Sequence, residues 1–157
     1  MKKRFTDIHK WDKMWFRNLS PEVKLLWHYL VDKCGDAGVV EKDIIRISFE
    51  TGMPQDAIER ALLVLLELGK LTDEFGGTKH TSRLLITGFV KFQFPKGLKL
   101  GYNPHQSILR EIEKFEIPFE ELGIANPRLG QGLGNAPKNK IKNRIKDKYR
   151  IGGEDEY

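Results

Sequence analysis

Apolar side chains recur at helical spacing in three blocks of the first half of the chain, and Gly and Pro separate the blocks. The first follows Ser20-Pro21-Glu22, a strong helix start: Ser20 can cap, Pro21 suits the first helical position, and Glu22 favours the positive end of the helix dipole. Leu25, Leu26, Tyr29, Leu30 and Val31 then predict an apolar face running towards Cys34. Gly35-Asp36-Ala37-Gly38 reads as a turn and Val39-Val40 as a very short strand. Ile44, Ile45, Ile47 and Phe49 mark a second helix. Thr51-Gly52-Met53-Pro54 breaks it, because Gly accepts the left-handed C-cap conformation and Pro starts a helix better than it continues one. From about Pro54 to Leu68 a third helix is predicted, with Ile58, Ala61, Leu62, Leu65 and Leu66 as one buried stripe.

Beyond Gly69 the pattern shortens. Leu71 to Phe75, the Gly76-Gly77 turn and Arg83 to Ile86 predict a β-hairpin. Phe89-Val90-Lys91-Phe92-Gln93-Phe94 is expected either to extend the last strand or to pack back on the body. Pro104 to Phe115 suits a short helix with Ile108, Ile112 and Phe115 in register. The fold expected is mainly α with a small β-hairpin. It is a winged helix-turn-helix followed by a short helix and a disordered basic tail.

Composition divides the chain further. Residues 1–19 form a basic, aromatic arm, 20–118 the winged-helix domain with its C-terminal extension, 119–137 a flexible linker and 138–157 a basic low-complexity tail. The linker carries Asn126-Pro127, Gly130, Gly132, Gly134 and Pro137, with too few apolar groups to offset chain entropy. From Lys138 to Arg150 every second residue is Lys or Arg. The formal charge is +5, and residues 20–135 hold fourteen Lys/Arg against sixteen Asp/Glu, so the basicity belongs to the ends. The single cysteine, Cys34, excludes an internal disulfide and reads as a small buried side chain. No apolar run approaches the roughly 18 residues that cross a bilayer, and no signal-peptide core follows MKKRF, so a cytoplasmic protein without membrane association is expected.

Catalytic chemistry finds little support. His9, His28, His80 and His105 are scattered without metal-ligand spacing, and Gly130-Gln131-Gly132-Leu133-Gly134 does not lie between a strand and a helix as a phosphate-binding loop would. An enzyme is not expected, and neither is a cofactor or metal. In a helix-turn-helix the second helix enters the major groove. Its outward set here is Gln55, Asp56, Glu59, Arg60 and Glu67, of which Gln55 can read adenine and Arg60 guanine or phosphate. The three acids equally suit a plain solvated face. Lys79, His80 and Arg83 around the hairpin suit phosphates or a minor groove, or a polar loop that keeps the domain soluble. In the tail, Lys138, Lys140, Lys142, Arg144 and Lys146 can gain affinity from counterion release without any fixed shape, although such arrays also bind acidic proteins. Trp11, Trp15, Phe16 and Trp27, interleaved with Lys10, Lys13 and Arg17, suit packing on the core or a partner subunit, and secondarily stacking of single-stranded bases.

Two blocks carry a family resemblance: Lys3-Arg4-Phe5-Thr6 with the run from Trp11 to Gly38, and Phe89 to Phe94 followed by Asn103-Pro104-His105 and a short helix. In this order they resemble bacteriophage replication proteins, or replisome organisers, with DnaD-like winged-helix N-termini. The resemblance covers about residues 1–118, and the tail in style. It implies DNA binding in phage or prophage replication initiation in a bacterial host cytoplasm, with a helicase loader or other replication protein as a candidate partner. The chain departs from the family in lacking an evident separate C-terminal DnaD-type domain. The expected partner is DNA, duplex ahead of single-stranded, with a homo-oligomer also in view. The alternatives are a protein-interaction or oligomerisation module of the replisome and a winged-helix transcription regulator.

Overall fold

A computed structural model describes residues 3–129. The chain divides into a body that ends at Ala125 and a second unit from Asn126. In the body a 3-10 turn at Ile8–Asp12 and a one-turn helix α1 (Met14–Arg17) precede α2 (Pro21–Lys33). Then come strand β1 (Val39–Glu41), α3 (Ile44–Thr51) and α4 (Gln55–Glu67). Strands β2 (Leu71–Thr72), β3 (Glu74–Phe75), β4 (Thr78–Lys79) and β5 (Arg83–Ile86) follow. Helices α5 (Phe89–Gln93) and α6 (Asn103–Lys114) complete the order.

Local chemistry accounts for the helix limits. The Ser20 hydroxyl accepts from the amide of Val23 at 3.4 Å, with Pro21 at the first helical position of α2. At the other end of α2 the Arg4 guanidinium donates to the carbonyls of Val31, Asp32 and Cys34, placing a cation at the negative end of the helix dipole. The Asp43 carboxylate caps α3 by accepting from Arg46 N at 3.0 Å. Gly52 ends α3 at φ 74°, a conformation that costs Gly little, and Pro54 immediately precedes α4.

A three-stranded antiparallel sheet forms in the order β1-β5-β2, with Val40 opposite Leu84, Glu41 opposite Arg83 and Leu71 opposite Ile86. Between β2 and β5 the chain projects as the small β3–β4 hairpin, with Glu74 opposite Lys79 and Gly76-Gly77 at its tip. Phe75 anchors this hairpin at 1% exposure, its ring 6.2 Å from that of Phe115. Gly76 approaches the body so closely that a Cβ there would lie 2.1 Å from the carbonyl oxygen of Phe115. The core is one cluster in which Leu26 and Leu30 of α2, Ile58, Leu62 and Leu65 of α4, and Leu84 to Ile86 of β5 meet. Ile108, Leu109 and Ile112 bring α6 onto it, and the Glu111 carboxylate accepts from Ala37 N at 2.9 Å.

Several expectations change. Phe89–Gln93 is helical and does not extend the last strand: Gly88 enters at φ 72°, and Phe89, Val90 and Gln93 are buried at helical spacing. It does pack back on the body. Leu25, Ile45 and Phe49, expected on apolar faces, are exposed, because α2 and α3 each bury one narrow stripe through Leu26 and Leu30 and through Ile47. Phe16 packs in the core, the placement favoured for the aromatics of the arm, and Leu19 joins it, whereas Trp11 is exposed. Leu122, which composition assigns to the linker, is buried as well.

Candidate nucleic-acid interface

The turn between α3 and α4 is set by Gly52, by the Ser48 hydroxyl donating to Met53 O at 2.7 Å, and by Met53 buried beneath it. Gln55 and Arg60 stand exposed on the first turns of α4 with Asp56 and Glu59 beside them. The Arg60 guanidinium donates to the Asp56 carboxylate at 2.7 Å, and this hydrogen bond holds the Asp56 carboxyl below its usual range. The outward face of α4 therefore offers Gln55 and a self-neutralised pair.

At the hairpin Lys79 is exposed in β4, with the Asp73 carboxylate 3.8 Å from its ammonium. His80 turns inward: its ring stacks on Phe75 at 4.0 Å and 18°, with Nε2 3.3 Å from the Phe75 carbonyl oxygen. Arg83 lies in β5 and so falls outside the tip where the sequence suggested it. Its guanidinium packs 5.5 Å from the Phe115 ring centroid, beside a cavity of about 320 Å³ that also holds Glu41, Asp43 and Glu111. Of the three hairpin residues expected to contact DNA, Lys79 alone has the tip exposure that a phosphate contact needs. Lys138, Lys140, Lys142, Arg144 and Lys146 lie outside the described residues.

Acids answer some cations elsewhere on the body. Glu50 accepts from Lys33 at 2.7 Å, from the Tyr29 hydroxyl at 2.7 Å and from Arg46 at 3.1 Å, and these bonds, Lys33 first, draw its carboxyl down to about 2. Burial, and then the bond to Glu50, pushes the Tyr29 phenol up to about 12. Lys13 pairs with Asp7 at 2.5 Å. Residues 3–129 hold nineteen Lys/Arg against eighteen Asp/Glu, so the body has no large field to attract a polyanion.

The sequence reading missed one grouping: a cleft of about 210 Å³ between the N-terminal segment, α2 and α5, with Lys10, Lys70, Trp15 and Trp27 in its wall. Interleaved Lys and Trp in the arm signalled part of it, but nothing marked Lys70, sixty residues away from Lys10 in the chain. Among the described residues no group of three or more His, Cys, Asp or Glu is placed to hold a metal, and no helix is long and apolar enough to cross a membrane. Comparison with protein-family models, with curated proteins and with solved structures finds no match.

Proposed function

We propose that this chain is a winged helix-turn-helix DNA-binding protein acting in the initiation of phage or prophage DNA replication in a bacterial cytoplasm. The observation that carries the reading is the arrangement of α3, the Gly52 turn and α4 against a β1-β5-β2 sheet, with the β3–β4 hairpin projecting between β2 and β5. Helix, strand, helix, helix, strand, hairpin and strand is the order of a winged helix, in which the second helix of the turn motif and the hairpin face the duplex. The replication role rests on the resemblance in residues 3–6, 11–38, 89–94 and 103–105, with a helicase loader as the partner it suggests.

The division of labour follows from charge. The near-neutral body supplies shape, Gln55 and Lys79 supply a few contacts, and the alternating Lys/Arg array of 138–150 supplies most of the phosphate attraction. Fluorescence anisotropy of a labelled duplex with the full chain tests this reading. Saturable binding that weakens steeply with salt supports it, and no binding at about 50 mM salt contradicts it.

A second reading, an interaction or oligomerisation module, draws on a separate observation. Phe49 is 90% exposed and Ile45 72% exposed, one turn apart on α3. Large apolar groups so placed favour a protein partner over water. The two readings are compatible in a replisome component.

A further inference from the structure

The cleft beside the N-terminal segment brings aromatic rings and lysines together. Trp15 and Trp27 meet edge to face at 5.4 Å in its wall, and the half-exposed Phe92 of α5 stands at its rim. Two cations in it lack anions. Lys10 has a largely covered stem (6% exposure for the residue) and an ammonium that reaches solvent, 5.8 Å from the Phe16 ring centroid and without an acidic partner among the described residues. The Lys70 ammonium lies over the Trp15 ring at 4.3 Å and is likewise without an acidic partner there. Two acids line the same cleft. Asp7 is occupied by Lys13, and Asp32 is exposed, leaving three ammonium groups against two carboxylates.

Lysine ammonium groups at a cleft that no carboxylate answers attract an anionic group. The space is smaller than the roughly 300 Å³ of ordinary small-molecule sites, which suits one planar ring. Indole faces and cations together fit a molecule that is aromatic at one end and anionic at the other. His28 adds a hydrogen-bonding edge: burial, and then the charge of Lys10, holds its pKa down, so the ring is neutral at pH 7.

We propose that this cleft receives one unpaired base of single-stranded DNA, with the adjoining phosphate answering Lys10 and Lys70. The proposal deepens the DNA-binding reading by adding a strand-holding site apart from the hairpin and tail, and it rests on that reading for its ligand. Strand opening would present such bases, whereas a paired base in duplex DNA is not free to enter.

The test uses the full chain with an oligo-dT strand, a duplex of equal length and thymidine monophosphate as probes. All three tryptophans lie in or beside the cleft, so their emission reports occupancy directly. Oligo-dT is expected to quench that emission to saturation. Lys70→Gln and Phe92→Ala are each expected to weaken single-strand affinity about tenfold, while duplex affinity falls less than about threefold. Lys10→Met should also weaken single-strand binding, with the duplex affinity of the same variant as the control for folding.

Saturation without quenching, or single-strand affinity unchanged in both Lys70→Gln and Phe92→Ala, would overturn the proposal. Equal affinity for thymidine monophosphate and the oligomer would reassign the cleft to a free nucleotide and overturn the strand. Quenching by oligo-dT with no duplex binding would support the cleft while removing the duplex reading. Loss of Lys70→Gln binding with duplex affinity retained would support the cleft and exclude unfolding as its cause.

Discussion

The Arg60 guanidinium is hydrogen-bonded to the Asp56 carboxylate at 2.7 Å, one turn apart on the exposed face of α4. A solvent-exposed pair of this kind holds Arg60 only weakly, so a phosphate can take Arg60 from it at little cost. Asp56 stays behind and repels the backbone. If α4 meets DNA, Asp56→Asn should raise duplex affinity about two- to fivefold, and Arg60→Ala should lower it by a similar factor. Anisotropy titrations of both variants measure this, and unchanged affinity in both removes α4 from the interface.

The hairpin is fixed to the body by more than its two short strands. Gly76 has φ 60°, its amide donates to the Glu121 carboxylate at 3.2 Å, and a Cβ there would lie 2.1 Å from Phe115 O. Gly76→Ala combines backbone strain with a clash against main chain and should cost about 1 to 3 kcal/mol of stability. Phe75→Ala, which empties a core position, should cost about 3 to 5 kcal/mol. Urea unfolding measures both. Gly77→Ala provides a contrast, since φ is 70° there too but nothing lies within 4 Å of the added carbon.

Stability should fall on acidification through Glu50. Its carboxyl titrates at about 2 in the fold against an ordinary 4.5, so its contribution is complete above 4.5 and is lost as the pH falls towards 2. The stability gap between the wild type and Glu50→Gln should therefore be widest near neutrality and close across that window. A gap independent of pH would show that the bonds from Lys33, Tyr29 and Arg46 do not set the titration of Glu50. His105 acts at higher pH. Its Nδ1 accepts from Lys99 N at 2.8 Å, and burial, then the Lys99 charge, lowers its pKa from 6.5. A depressed histidine favours the folded state above 6.5 and disfavours it as the pH drops, so His105→Gln should flatten the stability profile just below pH 6.5.

The exposed face of α3 separates the two functional readings. Ile45→Ser with Phe49→Ser replaces large apolar groups that contribute nothing to the core, so the folded domain should lose less than about 0.5 kcal/mol. Sedimentation velocity of wild type and double variant then decides. Dissociation of an oligomer in the variant assigns the face to self-association, and identical behaviour leaves it without that role.

How far this was legible in the sequence depends on whether the signal is local. Ser20-Pro21, Gly52 and Gly76-Gly77 act within a few residues of themselves, and helix starts, the turn and the hairpin tip fall where they were expected. Phe89 to Phe94 misled because its alternation resembles a strand, and only the body beneath it selects the one-turn helix that buries Phe89, Val90 and Gln93. Gln93 also forms a reciprocal pair with the backbone of Phe5, at 2.9 Å in each direction, across eighty-eight residues. No sequence pattern announces that pairing. The same holds for the site: Lys79 was found from the hairpin pattern, whereas the inward turn of His80 and the stacking of Arg83 on Phe115 arise from tertiary packing.

The central claim is that charge carried by the tail, rather than by the folded body, holds the protein on DNA. Duplex affinity of the full chain and of a chain lacking residues 138–157 should be measured as a function of salt. If about six phosphates are neutralised, log affinity of the full chain should fall against log salt with a slope near −5. The shortened chain should bind much more weakly, with a slope nearer −1 to −2, as about one or two contacts such as Lys79 would give. Equal affinity and equal slope in the two proteins would contradict the account.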